Sequence, residues 1–182
     1  MMKLFPLSLT LAFAAAVPAG AQTPPPPPPA EAKAQAMPYV MAAGRSDLYE
    51  INSSQIALQK SQDPAIRKYA DMLIKHHQKT TAATLAAAQK ANLSPAPPAL
   101  DPGATASITE LQNASAADFD RLYLAQQVPA HQAALDLHQS YGANGDQAAL
   151  RASAKKAVSI VRRHLTDAER MQSGSHAAHR GM

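Results

Sequence analysis

The sequence predicts an all-α protein: a bundle of four long helices forming two antiparallel hairpins joined by a long connection. Three observations lead there. Apolar residues recur at helical spacing through four segments of about 24–29 residues, each ~36–43 Å long as a helix. No stretch shows the strict apolar–polar alternation of a half-buried strand. Helix breakers gather at three places, "SQDP", "LSPAPPALDPGATAS" and "GANGD", giving two tight turns around one long link.

The chain opens on "MMKLFPLSLTLAFAAAVPAGAQ", where Lys3 precedes an apolar run and Ala19 and Ala21 stand in an A-x-A arrangement. These features predict a secretory signal over residues 1–21, cleaved after Ala21, and hence a periplasmic or secreted protein. The apolar run is too short for a membrane anchor, and no later stretch is apolar enough to span a bilayer. Residues 22–37, "QTPPPPPPAEAKAQAM", read as an extended, proline-rich tether without fixed structure.

The folded domain is expected over residues 38–172. The first helix runs from Pro38 to Ser61. Asp63 then caps the second and Pro64 occupies its first position, and that helix continues to Asn92. A short helical piece, "ITELQ", interrupts the long connection. Ser115 with Asp118 resembles a capping box opening the third long helix, which ends at Tyr141 and contains Pro129, a residue expected to bend it just before His131. The fourth runs from Asp146 to Gln172, and residues 173–182 read as an irregular tail.

Composition narrows the function. The chain has no cysteine, so packing must supply its stability, and thiolate nucleophiles and cysteine-ligated metal sites are excluded. A net charge of +4 spread singly along helix faces, with 4% aromatic residues, does not make a nucleic-acid platform. Glycine-rich phosphate loops and nucleophile–histidine–acid groupings are absent.

The histidines carry the chemical interest. In the second helix Lys68, Asp71, Lys75 and Lys79 share a wet face; His77 lies about 200° round from Lys75, on the inner stripe Ile66, Ala70, Leu73, His77, Thr80, Thr84. His76 falls at the boundary. In the fourth helix His164 lies on the inner stripe Leu150, Ala154, Ala157, Val161, His164, Ala168. The third turns Asp120, Tyr123, Gln127, His131, His138 and Tyr141 inward, an unusually polar inner surface. The first contributes Asp47 and Glu50, with Asp47 the nearer to the core and a substitute for Glu50. One inward imidazole on each of three helices and a carboxylate on the fourth suit zinc, iron, copper or manganese. Hydrogen bonds to tyrosine, glutamine or carbonyl groups would equally satisfy such imidazoles. Depths counted from the turns place Glu50 and His77 level at about 20 Å, but His131 at about 18 Å and His164 at about 30 Å, too far apart to share one ion.

The segments "YVMAAGRSDLYEINSSQIALQKSQDP", "YADMLIKHHQKT", "FDRLYLAQQVPAHQAAL" and "RRHL" resemble an exported bacterial family called domain of unknown function 4142, over Tyr39 to Met171. The resemblance implies a ferritin-like bundle with no assigned activity, and its recurrent polar positions fall on Glu50, His77, His131 and His164. Aspartate is usual in that family where this chain has His76. Ile74 and Val161 stand three residues before His77 and His164, so the paired E-x-x-H elements of di-iron proteins are missing and di-iron oxidation is not expected.

The reading is thus an exported helical protein without a catalytic motif, a binding or envelope-maintenance module with an envelope partner or a second copy of itself as partner. The alternative is a mononuclear metal protein, for storage or redox chemistry, with metal ligands drawn from Glu50, His77, His131 and His164.

Overall fold

The computed structural model describes residues 28–180, with side chains through residue 174. The expected signal and residues 22–27 of the tether lie outside the described residues. All regular structure within them is helical: a 3-10 turn at Ala30–Lys33, then α1 (Ala36–Lys60), α2 (Pro64–Lys90), α3 (Pro102–Asn113), α4 (Phe119–Asn144) and α5 (Ala148–Arg180). Helix α1 packs on α2, α2 on α5, α5 on α4 and α4 on α1, so each long helix touches two others.

Local chemistry sets the helix ends. The Asp63 side chain accepts from Ala65 N–H at 2.7 Å, with Pro64 in the first turn of α2. Asn92 closes that helix with φ of 56°, where the Leu93 N–H reaches back to the Ala88 carbonyl. Asp101 caps α3 through Ala104 N–H at 2.8 Å. This helix is longer than the "ITELQ" piece expected, because the Asp101–Pro102 pair starts it six residues earlier than Ile108. Before α4 the Ser115 hydroxyl accepts from Asp118 N–H at 3.2 Å and donates to the Asp118 carboxylate at 2.7 Å, where the expected capping box would have that carboxylate accept from the Ser115 backbone N–H. Pro129 lies within α4 without breaking it.

Both ends of the domain differ from expectation. Residues 28–37 are not a free tether: Ala32 is fully buried, the Asp146 N–H donates to the Ala34 carbonyl, and the Asp146 carboxylate accepts from Ala36 N–H at 3.3 Å. Small alanines fit against the α4–α5 turn, and Lys33 pairs with Asp136 at 2.6 Å. Helix α5 continues to Arg180, where an irregular tail was expected from residue 173.

Two apolar clusters fill the two ends. One, around Ile56, Ile66, Leu73, Leu111, Phe119 and Leu124, lies toward the α1–α2 turn. The other, around Tyr39, Val40, Leu137, Tyr141 and Leu150, lies toward the α4–α5 turn. Between them runs a layer of buried polar side chains.

The α4–α5 turn is tight. A Cβ on Gly145 would stand 2.5 Å from the Tyr141 ring, which is buried and stacked on Tyr39 with ring centres 3.9 Å apart. The ring has no room to yield. Gly145→Ala is therefore expected to cost about 1–3 kcal/mol through overpacking alone, since φ at this position is −61°; a urea midpoint unchanged from the parent would contradict this.

Candidate metal centre

The polar layer draws on every long helix: Asp47 and Glu50 from α1, His77 from α2, His131 from α4 and His164 from α5. All five are buried. The ring centres of the three histidines form a nearly equilateral triangle with sides of 5.7 Å (His77–His131), 5.2 Å (His77–His164) and 5.3 Å (His131–His164). One ring nitrogen from each lies within 4.8 Å of the other two.

His131 and His164 thus meet, contrary to the depths counted along their helices. The count took Ala143 as the hairpin's pivot. Gly142 instead packs against Ala154 and Lys155, which centres the hairpin near residue 148, about midway between His131 and His164. Register, not helix length, makes the triad.

Each imidazole is held from its outer side. The Asp47 carboxylate accepts from His77 Nδ1–H at 2.7 Å, and also from the hydroxyls of Thr80 (3.1 Å) and Thr81 (2.7 Å). That bond holds a proton on Nδ1, so the neutral form of His77 carries its lone pair on Nε2. His131 Nδ1–H donates to the Gln127 carbonyl, one turn back, at 2.9 Å, freeing its Nε2 likewise. His164 Nε2 bonds His76 Nδ1 at 2.8 Å, and the Tyr69 hydroxyl donates to the His164 carbonyl at 3.0 Å. The remaining nitrogens, His77 Nε2, His131 Nε2 and His164 Nδ1, are buried and without a hydrogen-bond partner. A buried polar atom left unmatched costs about 1–3 kcal/mol, so three on adjacent rings are an expensive arrangement for a purely structural core.

Glu50 stands beside the triad. Both of its oxygens are buried and unpartnered, and Oε1 lies 3.7 Å from His131 Nδ1, beyond hydrogen-bond reach. The two are not an ion pair, since that Nδ1 proton goes to Gln127. Of the four ligands expected, the structure collects the three histidines in one group and leaves Glu50 behind His131.

Burial sets the charges. It pulls the His131 pKa down to about 3, with the charge of His77 adding to the effect and the Gln127 carbonyl opposing it. It pulls His164 to about 2, helped by the neighbouring histidines and Arg163. At His77 burial works the same way but loses to the hydrogen bond and charge of Asp47, so its pKa is raised. Burial raises Glu50 to about 7, against the opposing effects of His77 and Gln127. His131 and His164 thus stay neutral, with lone pairs available to a Lewis acid.

Two supporting roles escaped the sequence reading. Asp47 appears there as a substitute for Glu50, yet its place is behind His77, as the carboxylate that orients a ligand imidazole. His76, at the boundary of its helix, reaches His164. Counting faces alone could place both residues near the layer but could not show what they touch.

Replacing Asp47 by Ala strands His77 Nδ1–H and leaves Thr80 only the carbonyls of its own helix, and is expected to cost about 3–5 kcal/mol in a urea titration; a loss under 1 kcal/mol, on the same scale, would show that the bonds matter little. His138 supplies a pH test away from the triad. Its Nδ1 meets the Tyr39 hydroxyl at 3.0 Å, and burial lowers its pKa from 6.5 to about 4, with Asp47 opposing and His77 assisting. The unfolded chain takes up this proton first, so the stability tied to neutral His138 is present above pH 6.5 and drains away toward pH 4. His138→Gln is expected to flatten that acid-side loss by about 3 kcal/mol relative to the parent; parallel pH–stability curves would refute it.

No curated protein sequence matches this chain. Among solved structures, CopM in its Cu(II)-bound form is similar with a TM-score of 0.66 at 16% identity, covering 77% of this chain and 97% of that one. CopM in its Ag-bound form gives 0.64 at 18%, covering 77% and 96%. A DUF305 fragment from Deinococcus radiodurans gives 0.66 at 15%, covering 81% and 99%. At these identities the likeness is one of fold. The family described as domain of unknown function DUF4142 matches residues 21–171, most of the sequence, and the chain belongs to that family.

Proposed function

We propose that this protein binds a single transition-metal ion on His77, His131 and His164, as an exported, ferritin-like four-helix bundle whose task is holding the ion rather than catalysis. One observation carries the reading: three buried ring nitrogens, from three helices, converge without hydrogen-bond partners. A metal ion satisfies all three at once, and the bonds behind the rings, from Asp47, the Gln127 carbonyl and His76, are those that ligand histidines commonly keep.

The donor set narrows the ion. Three imidazoles without thiolate or thioether favour copper or zinc over manganese, magnesium or calcium, which prefer oxygen. Glu50 would supply a negative charge near the ion, and a cation there would relieve the cost of its burial. That CopM, a protein of the same fold, is known in Cu(I)-, Cu(II)- and Ag-bound forms supports this choice.

Protein purified without an affinity tag and titrated with Cu(II) or Zn(II) is expected to take up one ion per chain. His131→Ala and His164→Ala should each weaken binding by at least about 100-fold, beyond what losing a supporting contact does. The terminal "HAAH" also pairs two histidines at helical spacing, and the double change His176→Ala, His179→Ala should leave the triad's binding intact. Unaltered affinity in both triad variants would sink the proposal.

A further inference from the structure

The three triad imidazoles are buried, and two are sealed behind by fixed groups: His77 by Asp47 with Thr80 and Thr81, and His131 by its own helix carbonyl. His164 differs. Its outer nitrogen meets another imidazole, that of His76, with the rings nearly parallel (16°) and their centres 5.1 Å apart. His76 is only partly buried. It is therefore a solvent-reaching imidazole hydrogen-bonded directly to a member of the triad.

We propose that His76 is the port through which a metal ion exchanges between solvent and the triad. The proposal rests on the metal-binding reading above. An arriving Cu(II) or Zn(II) ion takes the place of the single proton shared between His76 Nδ1 and His164 Nε2, and that proton leaves to water. Once the ion moves inward, as the His164 ring turns to the other triad histidines, water would return a proton to the pair and restore the hydrogen bond to His76. Imidazoles suit such a relay because each has two nitrogens, so one can be gained as the other is released. The alternative, that His76 merely fixes the orientation of His164, predicts a different response: orientation affects how tightly the ion is held, whereas a port affects how quickly it arrives and leaves.

The surroundings give a second handle. Lys79 and Arg163 place positive charge near His76. The same charges oppose an approaching cation, which slows uptake and makes it faster in salt. Lys79 is exposed and belongs to neither the triad nor its hydrogen bonds, so its charge can be reversed without disturbing the core.

Stopped-flow mixing of the full chain with Zn(II), using a competing chromophoric chelator, reads association and dissociation separately. His76→Ala is expected to slow association by at least about fivefold, whereas loss of a merely orienting contact weakens affinity through faster dissociation alone. Lys79→Glu should speed association in the parent and lose that effect in the His76→Ala background. An association rate slowed less than fivefold in His76→Ala overturns the port, whatever the affinity does. An unchanged rate in Lys79→Glu overturns the approach past His76. A parent chain that binds no Zn(II) or Cu(II) at equilibrium overturns the metal site itself, and the port with it; normal parent binding with unaffected rates overturns the port alone.

Discussion

The hydrogen bond from His77 to Asp47 is the interaction on which the interior depends. A carboxylate set among apolar helices is costly unless several donors meet it, and here an imidazole and two threonine hydroxyls do so. Those donors all come from α2, while Asp47 lies on α1, so one group fixes the register of that hairpin. The same bond aims the far nitrogen of His77 at His131 and His164. Structural need and site geometry are thus met by the same atoms.

A second register matters as much. Helices α4 and α5 pack closely because small residues line their contact, with Gly142 against Ala154. That contact shifts the hairpin's centre toward residue 148 and levels His131 with His164. The apolar clusters on either side hold the layer in place without entering it. Packing at the two ends sets how far the imidazoles stand apart, and the hydrogen bonds behind them set which way they face.

Much of this was legible in the residues. The 3.6-residue periodicity marked four helices, and the stripes through Leu73–His77–Thr80 and Val161–His164–Ala168 told which rings turn inward. Capping signals at Asp63 and Ser115 located helix starts to within a turn because they act locally, whereas the Asp101–Pro102 start of α3 was hidden in a breaker-rich link. What the residues did not disclose depends on contacts between distant segments. The relative height of His131 and His164 follows from where Gly142 rests. The role of Asp47 needs α2 beside α1. The ordering of residues 28–37 needs Asp146, and a proline run beside small alanines gives no local sign of that partner.

That last contact closes a ring. The bond from Ala36 N–H to the Asp146 carboxylate joins positions 110 residues apart and ties the start of α1 to the loop between α4 and α5. Each hairpin closes across a three-residue turn, whereas this clasp spans nearly the whole domain and joins its two hairpins. Loop-closure entropy rises only as the logarithm of the span, so a few hydrogen bonds and a buried alanine suffice to keep the ring shut. The beginning of the described chain thereby records whether the two halves have come together correctly.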